Sequence, residues 1–96
     1  MLERDIEKAV VVWARKQGLK PVKMNGFGYR GMLDRMFLSE KGGKVAFVEF
    51  KATGEKPTRL QELCIRDLQD RGFCAGWFDD IEAAKTFLET VFCVDR

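Results

Sequence analysis

The segment VAFVEFKA, residues 45–52, restricts the fold more than any other part of the chain. Six of its eight residues are core types, and the run reads as a strand. Strand side chains alternate between faces. Ala46, Val48, Phe50 and Ala52 therefore share one face, and Val45, Phe47, Glu49 and Lys51 share the other. A carboxylate and an ammonium then sit on the same side, about 6.6 Å apart along the strand. Burying a charge is costly unless it is paired or binds an ion. Either Glu49 and Lys51 form a simple ion pair at an open end of the strand, or they carry out chemistry there.

The flanking patterns supply the rest of a sheet. Residues 3–17 carry Ile6, Val10, Trp13 and Ala14 at helical spacing, and Gly18 is a natural stop. Leu19–Met24 reads as a short strand, and the glycine-rich NGFGYRG at 25–31 as a loop. Leu33–Ser39 forms a second strand, and the EKGGK turn folds it against a third at Lys44–Ala52. Thr58 can cap a helix through about Arg71, which Gly72 ends. Phe73–Phe78 is a fourth strand, and Asp79 or Asp80 caps a last helix bearing Ile81, Ala84, Phe87, Leu88 and Val91. The order α-β-β-β-α-β-α implies an α/β fold, a mixed β-sheet flanked by helices, because a helical crossover leads to the fourth strand.

Ninety-six residues, 46% apolar and 33% charged, suit one domain over 1–96 built around a single core. The VVVWA run is cut off by Arg15 and Lys16, too soon to span a membrane, and the charged start MLERDIEK is unlike a signal peptide. Three cysteines, Cys64, Cys74 and Cys93, show no metal-ligand spacing and are expected to be inert core filler in a reduced, cytoplasmic chain. The chain has no histidine. That excludes Ser-His-Asp and Cys-His nucleophiles and histidine-bound metals, so an enzyme here must work with carboxylates and lysines. Carboxylate oxygens favour magnesium, manganese or calcium. Residues 1–35 hold eight Lys/Arg against four Asp/Glu, a net +4, and residues 36–96 hold nine against eleven, a net −2, which together give the chain's +2. A basic front half can meet a phosphate backbone or simply be a solvated helix face.

The hairpin places Asp34, at the start of the second strand, beside Glu49 and Lys51. Two carboxylates and a lysine then converge at one end of the sheet. Such a pair can hold a hard divalent cation, which polarises a phosphoryl oxygen and lowers the pKa of water, while the lysine orients that water or stabilises developing negative charge.

At these residues the chain resembles the PD-(D/E)XK nucleases, and most closely the virus-type replication-repair nuclease, or VRR-NUC, domains. The matching positions are Glu3 in the first helix, the RGMLD stretch ending in Asp34, E-F-K at Glu49–Lys51, and Gln61 early in the following helix. Leu33 stands where the family usually has proline. That proline shapes backbone and provides no ligand, so the change is expected to be tolerated. The resemblance implies a restriction-endonuclease-like core. It implies Mg²⁺ or Mn²⁺ held by Asp34, Glu49 and the backbone carbonyl of Phe50, with Glu3 in the ion's shell directly or through water. Lys51 would assist the attacking water and Gln61 would support the site. Stand-alone members of this kind are thought to be homodimers that cut branched DNA such as four-way (Holliday) junctions, which fits a phage or mobile element. Trp77 and Phe78 are candidates for that interface or for burial within the monomer.

Several of these positions have a second reading. Asp34 can be a turn residue. Gln61 completes a T-R-L-Q capping box with Thr58, and that role is compatible with one at the site. Glu7, four residues after Glu3 on the same helical face, is its rival. Lys23, Tyr29, Arg30 and Arg35 could grip phosphates or be ordinary surface residues. The main alternative function is a nucleic-acid-binding domain of the same fold that does not cleave.

Overall fold

The computed structural model describes residues 1–24, 33–40 and 42–93. The elements are α1 (Glu3–Lys16), β1 (Lys20–Lys23), β2 (Arg35–Leu38), β3 (Val45–Phe50), α2 (Arg59–Asp70), β4 (Cys74–Phe78) and α3 (Ile81–Phe92), in the order expected. The apolar segment at 45–50 becomes an interior strand of a four-stranded sheet ordered β1-β2-β3-β4. β2 pairs antiparallel with both β1 and β3, whereas β3 and β4 are parallel because α2 crosses between them.

Alternation along β3 divides the core in two. Ala46, Val48 and Phe50 face α1 and α3, where they join Ile6, Val10, Ala14, Phe37, Ala84 and Leu88. Phe47 faces α2 and packs with Leu33, Cys64, Ile65 and Ala75. The sheet is thus covered on both faces, which is why β3 tolerates so little polarity. Phe37 and Phe50 have no exposed surface. Each contributes roughly 1.5–3 kcal/mol by leaving water.

The caps follow from local chemistry. Thr58 Oγ1 accepts from the Gln61 N–H at 3.2 Å, and Gln61 Oε1 accepts from the Thr58 N–H at 2.9 Å, a complete capping box. Of the two candidates for the last helix, Asp80 is the cap, accepting from the Ala83 N–H at 2.9 Å. Asp79 instead accepts from the Gly54 N–H at 3.0 Å, closing the turn after β3. That turn needs Gly54, whose φ is +87°.

The strands are shorter than their sequence patterns. Lys51 lies past the end of β3, although its N–H still donates to the Phe78 carbonyl at 2.9 Å. β4 ends at Phe78, so residues beyond Lys51 have no strand to pair with. The cysteines need a correction. Cys64 is buried, but Cys74 and Cys93 are exposed. Cys74 opens β4, and Cys93 caps α3 in a left-handed conformation, past the last turn that faces the core. No helix among the described residues is long and apolar enough to cross a membrane.

Candidate metal centre

Three layers contribute to one end of the sheet. The β2–β3 register pairs Arg35 with Val48, so one step further along the hairpin Asp34 lies opposite Glu49. Asp34 Oδ2 accepts from the Phe50 N–H at 2.8 Å, which fixes its carboxylate against β3. Glu3, in the first turn of α1, reaches round the sheet end. One carboxylate oxygen each from Glu3, Asp34 and Glu49 lies within 4.8 Å of the others.

Glu49 is the most constrained of the three, with its side chain 2% exposed. Its Oε2 has two partners. Gln61 Nε2 donates to it at 2.8 Å, and Lys51 Nζ is 3.4 Å away. Its Oε1 is buried and accepts no hydrogen bond from any described residue. An orphaned buried carboxylate oxygen is costly and points to a missing proton or cation. A proton on Glu49 would let it donate to Asp34. A cation would satisfy all three carboxylates together. The donors are all oxygens, which suits a hard divalent ion such as Mg²⁺ or Mn²⁺.

The electrostatics agree. Burial pushes the Glu49 carboxyl up to about 7, the Asp34 and Glu3 charges push the same way, and Lys51 opposes them. Burial also raises Asp34, against the pull of the Phe50 N–H. Glu3 is raised by its own partial burial and by Asp34. Carboxylates this close cannot all ionise cheaply without a counter-ion. The burial that brings them together therefore favours a positive ion among them.

The expected site residues divide as follows. Glu3, Asp34, Glu49, Lys51 and Gln61 come together. Gln61 accepts from the Thr58 N–H through Oε1 and donates to Glu49 through Nε2, so one amide makes both the cap bond and the bond to the cluster. Glu7 lies outside the cluster and pairs with Arg35 at 2.6 Å. That pairing engages Arg35 Nε, one of the cations considered for phosphate. Lys23 is exposed on β1. Tyr29 and Arg30 lie outside the described residues. Trp77 and Phe78 are half-buried, packed against the α2-side and α1-side cores respectively. Two features escaped the sequence reading. The Phe50 N–H to Asp34 bond carries no side-chain signal. The Glu7–Arg35 pair crosses from α1 to β2, 28 residues apart.

No family model matches the chain. A solved structure described as a VRR_NUC domain superposes with a TM-score of 0.80 over 91% of this chain and 94% of that one, at 20% identity. The chain therefore has the VRR-NUC fold, a restriction-endonuclease-like mixed sheet between helices. Among curated proteins, "Putative nuclease p44" of Acyrthosiphon pisum secondary endosymbiont phage 1 is 46% identical over 59 residues. The match spans 62% of this chain and 62% of the phage protein.

Proposed function

We propose that residues 1–96 act as one nuclease domain, a metal-dependent endonuclease that hydrolyses phosphodiester bonds in DNA. The observation that carries the reading is the orphaned, buried Oε1 of Glu49 inside a three-carboxylate cluster flanked by a lysine. A binding module gains nothing from such a cluster, since without a cation it repels phosphate. The VRR-NUC fold and the phage relative named a nuclease support the same conclusion.

Asp34, Glu49 and Glu3 would hold Mg²⁺ or Mn²⁺, with the Phe50 carbonyl completing the set. The ion supplies Lewis-acid polarisation of a phosphoryl oxygen and lowers the pKa of water. The chain's own residues do the rest. Gln61 and Lys51 occupy Oε2 of Glu49, which would leave the unpartnered Oε1 for the ion. The Phe50 N–H holds Asp34 in place. Lys51 orients the attacking water and offsets the negative charge that builds on the phosphoryl group. Water adds across a P–O bond, leaving phosphate on one fragment and hydroxyl on the other.

The substrate we propose is branched DNA such as a four-way junction, cut by a homodimer in the host cytoplasm. Two-fold symmetry would present two sites to two strands. Lys23, Tyr29 and Arg30 are the proposed phosphate contacts. The test is cleavage of labelled linear duplex, single strand, nicked, flap and four-way-junction DNA, with and without Mg²⁺ or Mn²⁺. Metal-dependent cutting that disappears in Asp34→Ala and Lys51→Ala supports the reading. Salt-sensitive binding with no cleavage in either metal refutes it.

A further inference from the structure

The second turn of α1 is tied to the sheet immediately beside the carboxylates. Arg35 Nε donates to Glu7 Oε2 at 2.6 Å, and the two side chains are only 16% and 17% exposed. Arg35 follows Asp34 in the chain, and Glu7 lies one helical turn after Glu3. The pair therefore joins the two elements that bring Glu3 and Asp34 together.

Ile6 anchors the inner face of the first turn of α1 in the core, but the start of the helix lacks a side-chain cap. Leu2 is its N-cap residue and makes no side-chain cap bond, whereas Thr58 and Asp80 cap the other two helices. An uncapped first turn frays readily, and Glu3 is its first residue. Two other ties lie near this point, the Met1 ammonium donating to Thr53 Oγ1 and the Thr53 N–H donating to the Met1 carbonyl, both at 3.0 Å. With the buried Ile6, Val10 and Ala14 they hold the chain end and the inner face of the helix, whereas the Glu7–Arg35 pair holds the edge that carries Glu3. Unpaired, Glu7 would also add a fourth negative charge near the cluster.

We propose that Glu7 and Arg35 form a positioning clamp that holds Glu3 within reach of Asp34 and Glu49, and so sets the affinity for the divalent cation. The inference rests on the metal centre proposed above. It gives Arg35 a role inside the protein in place of a grip on DNA phosphate.

The sign of one substitution separates a clamp from plain electrostatics. Removing a positive charge close to a cation site should strengthen cation binding if charge alone acts. Removing the clamp should weaken it. The experiment titrates the metal-free full chain with Mn²⁺ by calorimetry, comparing wild type, Arg35→Gln, the charge-exchanged double E7R/R35E and Asp34→Asn. Amide exchange of residues 5–8 is followed in parallel. Arg35→Gln is expected to bind Mn²⁺ about tenfold more weakly and to exchange those amides about tenfold faster, with E7R/R35E returning to within threefold of wild type in both. Equal or tighter binding by Arg35→Gln overturns the clamp. Should Arg35→Gln not fold, E7R/R35E carries the test, and weakened binding there overturns it. A wild-type chain that binds no Mn²⁺, or binds it equally well as Asp34→Asn, overturns the metal centre itself and the clamp with it.

Discussion

Gln61 Nε2 donates to Glu49 Oε2 at 2.8 Å while the same side chain's Oε1 closes the cap of α2 on the Thr58 N–H. One amide thus couples the start of a helix to the aim of a buried carboxylate. With Oε2 held in this way and Oε1 buried without a partner, the cap residue also sets the orientation of the Glu49 carboxylate.

The two roles of Gln61 separate by mutation. Thr58→Ala breaks the capping box but leaves the bond to Glu49. It should cost about 1 kcal/mol of stability with little change in cleavage at temperatures below melting. Gln61→Leu should cost a similar amount and also reduce cleavage at least tenfold. Thermal unfolding and single-turnover cleavage on the same samples check both.

Stability without metal should fall as pH rises. Folding lifts the Glu49 carboxyl from an ordinary 4.5 to about 7, so across that window the native state binds more protons than the unfolded chain. Stability is then greatest below about pH 4.5 as far as this group is concerned, and is lost as pH rises through 7. Asp34 and Glu3 shift in the same direction. Melting in EDTA should therefore be lower at pH 8 than at pH 5.5, and Glu49→Gln should flatten the difference. A flat wild-type profile contradicts the burial argument.

Divalent cation should reverse that loss. A ligand at a hundredfold its Kd stabilises the native state by roughly 2.7 kcal/mol. For a chain this size that corresponds to a melting shift on the order of 10 °C. Mn²⁺ at pH 8 should produce such a shift in wild type and none in Asp34→Asn.

Lys51→Ala should divide binding from chemistry. The lysine competes for Glu49 from 3.4 Å, so its loss should leave Mn²⁺ affinity unchanged or tighter. Cleavage should fall by roughly a hundredfold or more, in keeping with the loss of one electrostatic stabiliser. Affinity from calorimetry and the single-turnover rate report the two effects separately.

The core makes a prediction remote from the site. Phe37 has no exposed surface and lies between the sheet and α1. Phe37→Ala should cost about 3–5 kcal/mol, enough to unfold much of a small domain. Val12→Ala, at a residue 44% exposed, should stay within about 0.5 kcal/mol. Denaturant titration in metal distinguishes the two.

Much of this protein is written in short-range patterns. The alternation in VAFVEFKA sorted Glu49 and Lys51 onto one face, helical spacing marked α1, α2 and α3, and T-R-L-Q announced its own capping box. Such features depend on residues within one turn or one strand of each other, so the amino-acid order alone settles them. Tertiary structure decided what depends on partners from another layer. Glu3 and Glu7 share a helical face, and only the position of β2 assigns one to the carboxylates and the other to Arg35. Asp79 and Asp80 are equivalent as caps until the Gly54 turn engages the first. Cys74 and Cys93 are apolar enough for a core, yet the ends of β4 and α3 leave them outside it. The orphaned oxygen of Glu49 likewise exists only because α1, the sheet and α2 meet at one point and exclude water from it.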